Sequence, residues 1–155
     1  MPDHHNFSPG VVSLPVIRIL GRSGSGKTTL IETLVQQLLP LRVGVIKHTR
    51  HHLDLPSTGK DTVRFAVAGA VVSGGLSQGE AEIFVRVPMS FEQLFELMKD
   101  RVDLVLVEGA RDRDLPTVLV GEAPEDACLK QVLCRIPRFP EVTPELLQTI
   151  RNALR

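Results

Sequence analysis

The sequence predicts an α/β protein with a mainly parallel sheet flanked by helices. Two observations support this fold class. Short apolar runs rich in β-branched residues alternate along the chain with segments whose apolar residues recur at helical spacing. The first strand, a glycine-rich turn, the first helix and the second strand also follow one another within about 30 residues, the length of a βαβ unit with parallel strands.

The predicted elements follow from local patterns. We expect strands at residues 16–20, 41–47, 70–73, 82–87, 103–107, 117–120 and 132–136. We expect a helix at residues 28–39, ended by Pro40, and further helices at 61–68, from Ser90 and from Pro144. Gln93 lies at capping-box spacing from Ser90, and Thr143-Pro144 is a favourable pair for a helix start.

Length and composition bound the class of protein. The chain has 155 residues, of which 43% are hydrophobic and 23% charged, so it is neither disordered nor fibrous. We expect a loose N-terminal arm at residues 1–15 and a single domain at 16–155. A net charge of zero argues against general nucleic-acid binding. The two cysteines exclude a disulfide framework, and no apolar run suits a membrane span, so a cytoplasmic protein is expected.

The turn after the first strand carries the most specific motif. Residues 21–28, GRSGSGKT, match G-x-x-x-x-G-K-[ST], with a buried strand before them and an amphipathic helix after them. Glycines let backbone N–H groups converge on an anion, and a helix N-terminus favours negative charge. The pattern predicts a nucleotide-binding P-loop in a three-layer fold, with a plain Gly/Ser connector as the alternative. The predicted nucleotide-binding residues are Gly21, Arg22, Ser23, Gly24, Ser25, Gly26, Lys27, Thr28 and Thr29.

Charge and strand-end positions extend this site. Residues 16–64 hold eight Lys/Arg against three Asp/Glu, which suits a polyanionic ligand. Lys27 would contact the β- and γ-phosphates, and Glu108, after a buried strand, would face them, so both are candidate catalytic residues. Thr28, Glu108 and Asp54 are candidate Mg²⁺ ligands. The alternatives are a simple strand-end turn for Glu108 and a solvated loop acid for Asp54.

The loop after the second strand is rich in histidine and basic residues. Contact with an anionic substrate or a partner is one interpretation, and a transition-metal site or a solvated loop are the others. The candidate contact residues are Lys47, His48, Arg50 and His51. Arg111 and Arg113 either approach phosphate when a loop closes or lie in a solvated loop of mixed charge.

Three blocks together resemble the molybdopterin-guanine dinucleotide biosynthesis adaptor (MobB) family. They are GRSGSGKTTLIETLV (21–35), VGVIKHTRHHLDLPSTGKDTVRFAVAGA (43–70) and VDLVLVEGARDRDLPTVLV (102–120). The chain departs from the family pattern in three places: Pro56 stands where the second Asp of a D-x-D is common, Arg50 where His is frequent, and His52 where Asp is frequent.

The resemblance implies an accessory protein that binds GTP with Mg²⁺, hydrolyses it weakly and is commonly dimeric. Its partner would be a MobA-type nucleotidyltransferase that attaches GMP to molybdopterin-bearing intermediates. A P-loop kinase or ligase for a small molecule, or a metallochaperone GTPase, are the alternative functions. The sequence has no N-K-x-D or T-K-x-D segment, so the preference for GTP over ATP rests on the resemblance alone.

Overall fold

A computed structural model describes residues 14–53 and 61–155. The described residues form two compact units, one from residues 14–49 and 98–155 and the other from residues within 50–97. Whether residues 16–155 fold as a single domain stays a prediction. None of the described helices has the length and apolar character needed to cross a membrane.

The first unit is built on a five-stranded parallel sheet with the strand order β2-β5-β1-β6-β7. Its strands are β1 (Val16–Gly21), β2 (Val43–His48), β5 (Leu104–Gly109), β6 (Thr117–Val120) and β7 (Val132–Ile136). Its helices are α1 (Lys27–Gln37) and α4 (Pro144–Asn152). The parallel sheet with flanking helices confirms the predicted fold class.

The apolar core lies between one face of this sheet and the two helices. Alternate strand residues such as Ile17 and Ile19 point to the same face, and they pack with Leu34 of α1 and Ile150 of α4, all fully buried. Thr143 caps α4 as predicted, since its hydroxyl accepts from the Leu146 N–H at 3.3 Å.

The second unit contains α2 (Asp61–Val67), β3 (Val72–Leu76) and β4 (Ala81–Val85), and α3 (Phe91–Met98) begins in it. Ser90 and Gln93 form the predicted capping box: the Ser90 N–H donates to Gln93 Oε1 at 2.8 Å and the Gln93 N–H donates to Ser90 Oγ at 3.2 Å.

β3 and β4 form their own antiparallel two-stranded sheet instead of joining the parallel one. A tight turn joins them, with the Ser77 N–H donating to the Glu80 carbonyl at 2.9 Å. So short a connection permits only antiparallel pairing, because parallel strands need a long crossover. The predicted end of β3 at residue 73 was wrong by three residues, because Gly74 and Gly75, which are poor strand formers, lie inside the strand. The predicted strand at 82–87 differs from β4 by one residue at its start and two at its end.

A fully buried arginine lies on the face of β1 opposite Ile17 and Ile19. Arg18 is 0% exposed, although the apolar run around it predicts an ordinary buried strand. Its guanidinium donates to Thr117 Oγ1 at 2.8 Å and to the carbonyl oxygens of Ala110 at 2.8 Å, Arg113 at 2.5 Å and Cys128 at 2.7 Å. Arg18 therefore fastens the segment after β5 to the central strand.

We expect Arg18→Met to destabilise the protein strongly. Methionine fills a similar volume but leaves one buried and two part-buried carbonyl oxygens without these donors, at roughly 1–3 kcal/mol each where water cannot replace the donor. The free energy of unfolding, measured in urea, should therefore fall by about 3 kcal/mol or more. Arg42→Met is the control, because Arg42 forms an exposed pair with Asp103 at 2.7 Å and should matter little. Equal losses in the two variants would contradict this account of Arg18.

Candidate functional site

The candidate site lies where the parallel strands end. The strands of a parallel sheet have their carboxyl ends at one edge, and β1, β5 and β6 are neighbours there. The glycine-rich turn (residues 21–28) follows β1 and leads into α1. It therefore lies between the end of β5, which carries Glu108, and the end of β6.

The backbone of the glycine-rich turn requires glycine at several positions. Gly24 and Gly26 have φ of 69° and 93°, in the left-handed region that L side chains rarely adopt. A Cβ at Gly21 would overlap the carbonyl oxygen of Val120 and lie 2.9 Å from Ser25 Oγ. The turn is thus a tight curl packed against the end of β6.

The first turn of α1 carries no acidic residue, and its N-cap, Gly26, provides no side-chain cap. The N–H groups at this helix start give the edge of the sheet a partial positive charge. Thr29, in the same first turn, is exposed. The local electrostatics therefore favour an anion.

Lys27 adds a full positive charge to the glycine-rich turn. Its ammonium donates to the carbonyl oxygen of Arg22 at 2.7 Å, which folds the side chain back over the turn. Burial lowers the pKa of Lys27 below its ordinary value; the charge of Glu108 opposes this shift, and the cations Arg111 and Lys47 add to it. A bound anion would offset this crowding of cations.

Thr28 and Glu108, two of the candidate Mg²⁺ ligands, lie next to each other. The Thr28 hydroxyl donates to Glu108 Oε2 at 3.2 Å, joining the start of α1 to the end of β5. A hydroxyl and a carboxylate oxygen suit Mg²⁺, which needs only one or two protein carboxylates beside phosphate and water. The described residues contain no cluster of three or more His, Cys, Asp or Glu side chains arranged for a metal. Asp54 lies outside the described residues.

The candidate contact residues of the histidine-rich loop fall in different units. Lys47 pairs in register with Glu108, and His48 Nδ1 lies 3.9 Å from Asp112 Oδ1, so both belong to the edge that carries the turn. Arg50 and His51 are exposed residues of the second unit.

The arginines after β5 have structural contacts. Arg111 pairs with Asp126 at 3.2 Å, and the carbonyl of Arg113 accepts from the buried Arg18. Gly109 has φ of 92°, and a Cβ there would overlap the carbonyl oxygen of His48. The chain thus leaves β5 in a fixed direction beside the turn.

Sequence reasoning missed the residues on the β6 side of the turn. Glu122 follows the end of β6, and its carboxylate lies 3.6 Å from Nε of Arg22. The Phe139 N–H, after β7, donates to the carbonyl of Ser25 at 2.8 Å, and Arg138 lies beside it. Ligands in parallel sheets bind beyond the carboxyl ends of the strands, and this rule pointed to Glu108 after β5. The same rule, applied to β6 and β7, could have found these residues.

Comparison with known families and proteins places this chain among its relatives. The family model described as "Molybdopterin guanine dinucleotide synthesis protein B", MobB, matches residues 16–133. A molybdopterin-guanine dinucleotide biosynthesis adapter protein of Haemophilus influenzae is 36% identical over 69% of the chain, and the match spans 63% of that protein's length. The Escherichia coli adapter protein is 30% identical over 76% of the chain and 74% of its own length.

Solved structures share the fold. The structural alignment with the crystal structure of Bacillus subtilis MobB includes 91% of this chain and 98% of that protein's chain, with a TM-score of 0.71 at 24% sequence identity. A MobB homologue from Bacillus stearothermophilus covers 90% and 97%, with a TM-score of 0.63 at 25% identity. The family match over most of the chain and the sequence relatives lead to one conclusion: the chain belongs to the MobB family.

Proposed function

We propose that this protein is a nucleotide-binding adaptor in the synthesis of molybdopterin guanine dinucleotide. It would bind GTP with Mg²⁺ and assist a MobA-type nucleotidyltransferase that attaches GMP to molybdopterin-bearing intermediates. The names of its sequence relatives support the pathway. The glycine-rich turn supports the proposed binding of a nucleotide.

The observation that carries the proposal is the curl of residues 21–28 around the Lys27 ammonium. Three features lie together at one edge of the sheet. They are glycines with φ in the left-handed region, a helix start whose first turn has no acidic residue, and a partly buried lysine. Backbone N–H groups and a lysine ammonium are the donors that hold a triphosphate in this kind of turn. Gly21 to Thr29 would supply these contacts.

Thr28 and Glu108 would hold Mg²⁺, which neutralises charge on the β- and γ-phosphates when it is bound. Glu108 would also be the carboxylate nearest to a water beside the terminal phosphate. We expect hydrolysis to be slow, as the resemblance to the MobB family implies. Slow turnover suits an adaptor, whose bound nucleotide persists.

Lys47 and His48 would contact the anionic substrate or the partner enzyme, because both lie exposed at the edge that carries the turn. Arg50 and His51, exposed residues of the second unit, would be separate candidates for contact with an anion or a partner. A transferase bound beside this edge would contact both the nucleotide and the exposed Lys47 and His48.

We also assign a homodimer contact to the hairpin of the second unit. The face of β3–β4 that carries Val72, Leu76 and Ile83 is apolar, with these side chains 55%, 89% and 66% exposed. The other face packs on α2, where Ser73 Oγ donates to the Thr62 carbonyl at 2.8 Å. Permanent homodimer interfaces are more apolar than transient ones, so a second copy suits this face better than a transient partner.

Lys27→Ala should abolish binding of a nucleoside triphosphate, because it removes the ammonium that the curl holds against its own backbone. The measurement is a calorimetric titration with GTP and Mg²⁺. Lys99→Ala makes the same charge change at the opposite end of β5 and should bind as the unaltered protein does. Unchanged affinity in Lys27→Ala would remove the basis for a triphosphate site.

Glu108→Gln should weaken the dependence of GTP binding on Mg²⁺, since an amide is a poorer ligand for a hard cation than a carboxylate. Titrations with and without Mg²⁺ give the ratio of the two affinities, which should fall by about 10-fold or more in this variant. Glu96→Gln, on exposed α3, is the control for loss of one negative charge. A ratio equal to that of the control would argue against metal ligation by Glu108.

Ile83→Glu should convert a dimer into a monomer, because it buries a charge in an apolar contact. Sedimentation velocity at several protein concentrations measures the change. Val67→Glu introduces the same charge at a similarly exposed apolar position at the end of α2 and should leave the dimer intact. Dimers that persist in Ile83→Glu would place the contact elsewhere.

A further inference from the structure

A small pocket opens beside the glycine-rich turn on the side away from Glu108. Its volume is about 180 Å³, below the roughly 300–1,000 Å³ of sites for drug-sized ligands, and suited to one planar ring system. The turn, the end of β6 and the segment after β7 supply its walls, which are Arg22, Ser25, Val120, Gly121, Glu122 and Arg138.

The pocket contains polar groups that the turn itself does not use. Ser25 is 1% exposed, and its hydroxyl has no hydrogen-bond partner among the described residues. Buried hydroxyls are normally paired, so this one is an unsatisfied polar atom in a residue that lines the pocket.

The carboxylate of Glu122 is available to a ligand. Its ion pair with Arg22 spans 3.6 Å, and the two side chains are 83% and 61% exposed. Exposed pairs of this kind contribute little, so a ligand that offers two N–H donors can replace the arginine at small cost. Arg22 would then be free to face phosphate.

The segment after β7 is fastened to the turn. The Phe139 N–H donates to the Ser25 carbonyl at 2.8 Å, and a Cβ on Gly26 would lie 3.0 Å from Phe139 Cα. The Arg138 guanidinium lies 5.3 Å from the centre of the exposed Phe139 ring. Arg138 Nη2 also donates to the Gly24 carbonyl at 3.5 Å, which holds the guanidinium at the pocket beside the turn. A guanidinium has five N–H donors, so it has further donors for a ligand.

We propose that this pocket takes the base of the nucleotide and that Glu122 selects guanine over adenine. The inference rests on the proposed binding of a triphosphate at residues 21–28. Guanine has neighbouring N1–H and N2–H donors, which a carboxylate with two acceptor oxygens accepts together. It also has the O6 acceptor, which suits the donors of Arg138.

Adenine has the opposite arrangement at this edge. It has an acceptor at N1 and an amino donor in place of O6, so it would leave Glu122 unsatisfied and oppose Arg138. A site built to accept hydrogen bonds rejects a ligand that cannot donate them, because its polar groups are left unpaired. Glu122 thus supplies the guanine-recognising carboxylate that no N-K-x-D segment provides in this chain.

The test compares GTP, ATP and xanthosine triphosphate in titrations of the full chain with Mg²⁺. Glu122→Gln should lose at least about 10-fold in GTP affinity while ATP affinity changes little. The same variant should gain affinity for xanthosine triphosphate, because the glutamine amide donates to the xanthine C2 carbonyl and its oxygen accepts from N1–H. Glu125→Gln, an exposed change in the same loop, is the matched control and should behave as the unaltered protein.

The two proposals fail in different ways. If Glu122→Gln keeps the GTP-to-ATP ratio of the control, or the unaltered protein does not distinguish the two nucleotides, Glu122 does not recognise guanine, although a triphosphate still binds. If the unaltered protein binds no nucleoside triphosphate, the proposed function fails and the base site fails with it.

Discussion

The site depends on a backbone constraint at the carboxyl end of β1. At Gly21 there is no space for a Cβ beside the Val120 carbonyl, and at Gly26 a left-handed φ of 93° coincides with close approach of Phe139. The turn is therefore held from two sides, by the end of β6 and by the segment after β7. Its N–H groups and the Lys27 ammonium are in place before any ligand arrives, which lowers the ordering cost of binding.

The order of the strands gives the turn two different neighbours. On the β5 side, Glu108 accepts from Thr28 at 3.2 Å, an arrangement suited to a metal ion. On the β6 side, Glu122 borders a small pocket, suited to a base. The buried Arg18 holds the carbonyls of Ala110 and Arg113, so the central strand of the core also fixes the chain that leaves β5 beside the turn. Arg18 therefore contributes both to the packing of the sheet and to the geometry of the site.

Many local features of this protein could be predicted from the sequence, because they depend on residues that are close together in the chain. The turn motif, the capping box at Ser90 and the cap at Thr143 each depend on residues at most seven positions apart, and the structure has all three. The pattern could not predict the buried Arg18, because its acceptors come from residues about a hundred positions away. Glu122 was missed for the same reason: its place beside the turn depends on β6 lying next to β1. The strand positions of Gly74 and Gly75 depend on hairpin pairing, which overrides propensity.

The central claim is that the amides of the glycine-rich turn surround a chain of phosphates. The most direct measurement is a titration of ¹⁵N-labelled protein with a slowly hydrolysed GTP analogue and Mg²⁺, followed by the backbone amide resonances. The account predicts saturable shifts that are largest at Gly24, Gly26, Lys27 and Thr28, with one affinity for all four. Shifts that spare these amides at saturating nucleotide, or that appear only on another surface, would contradict it.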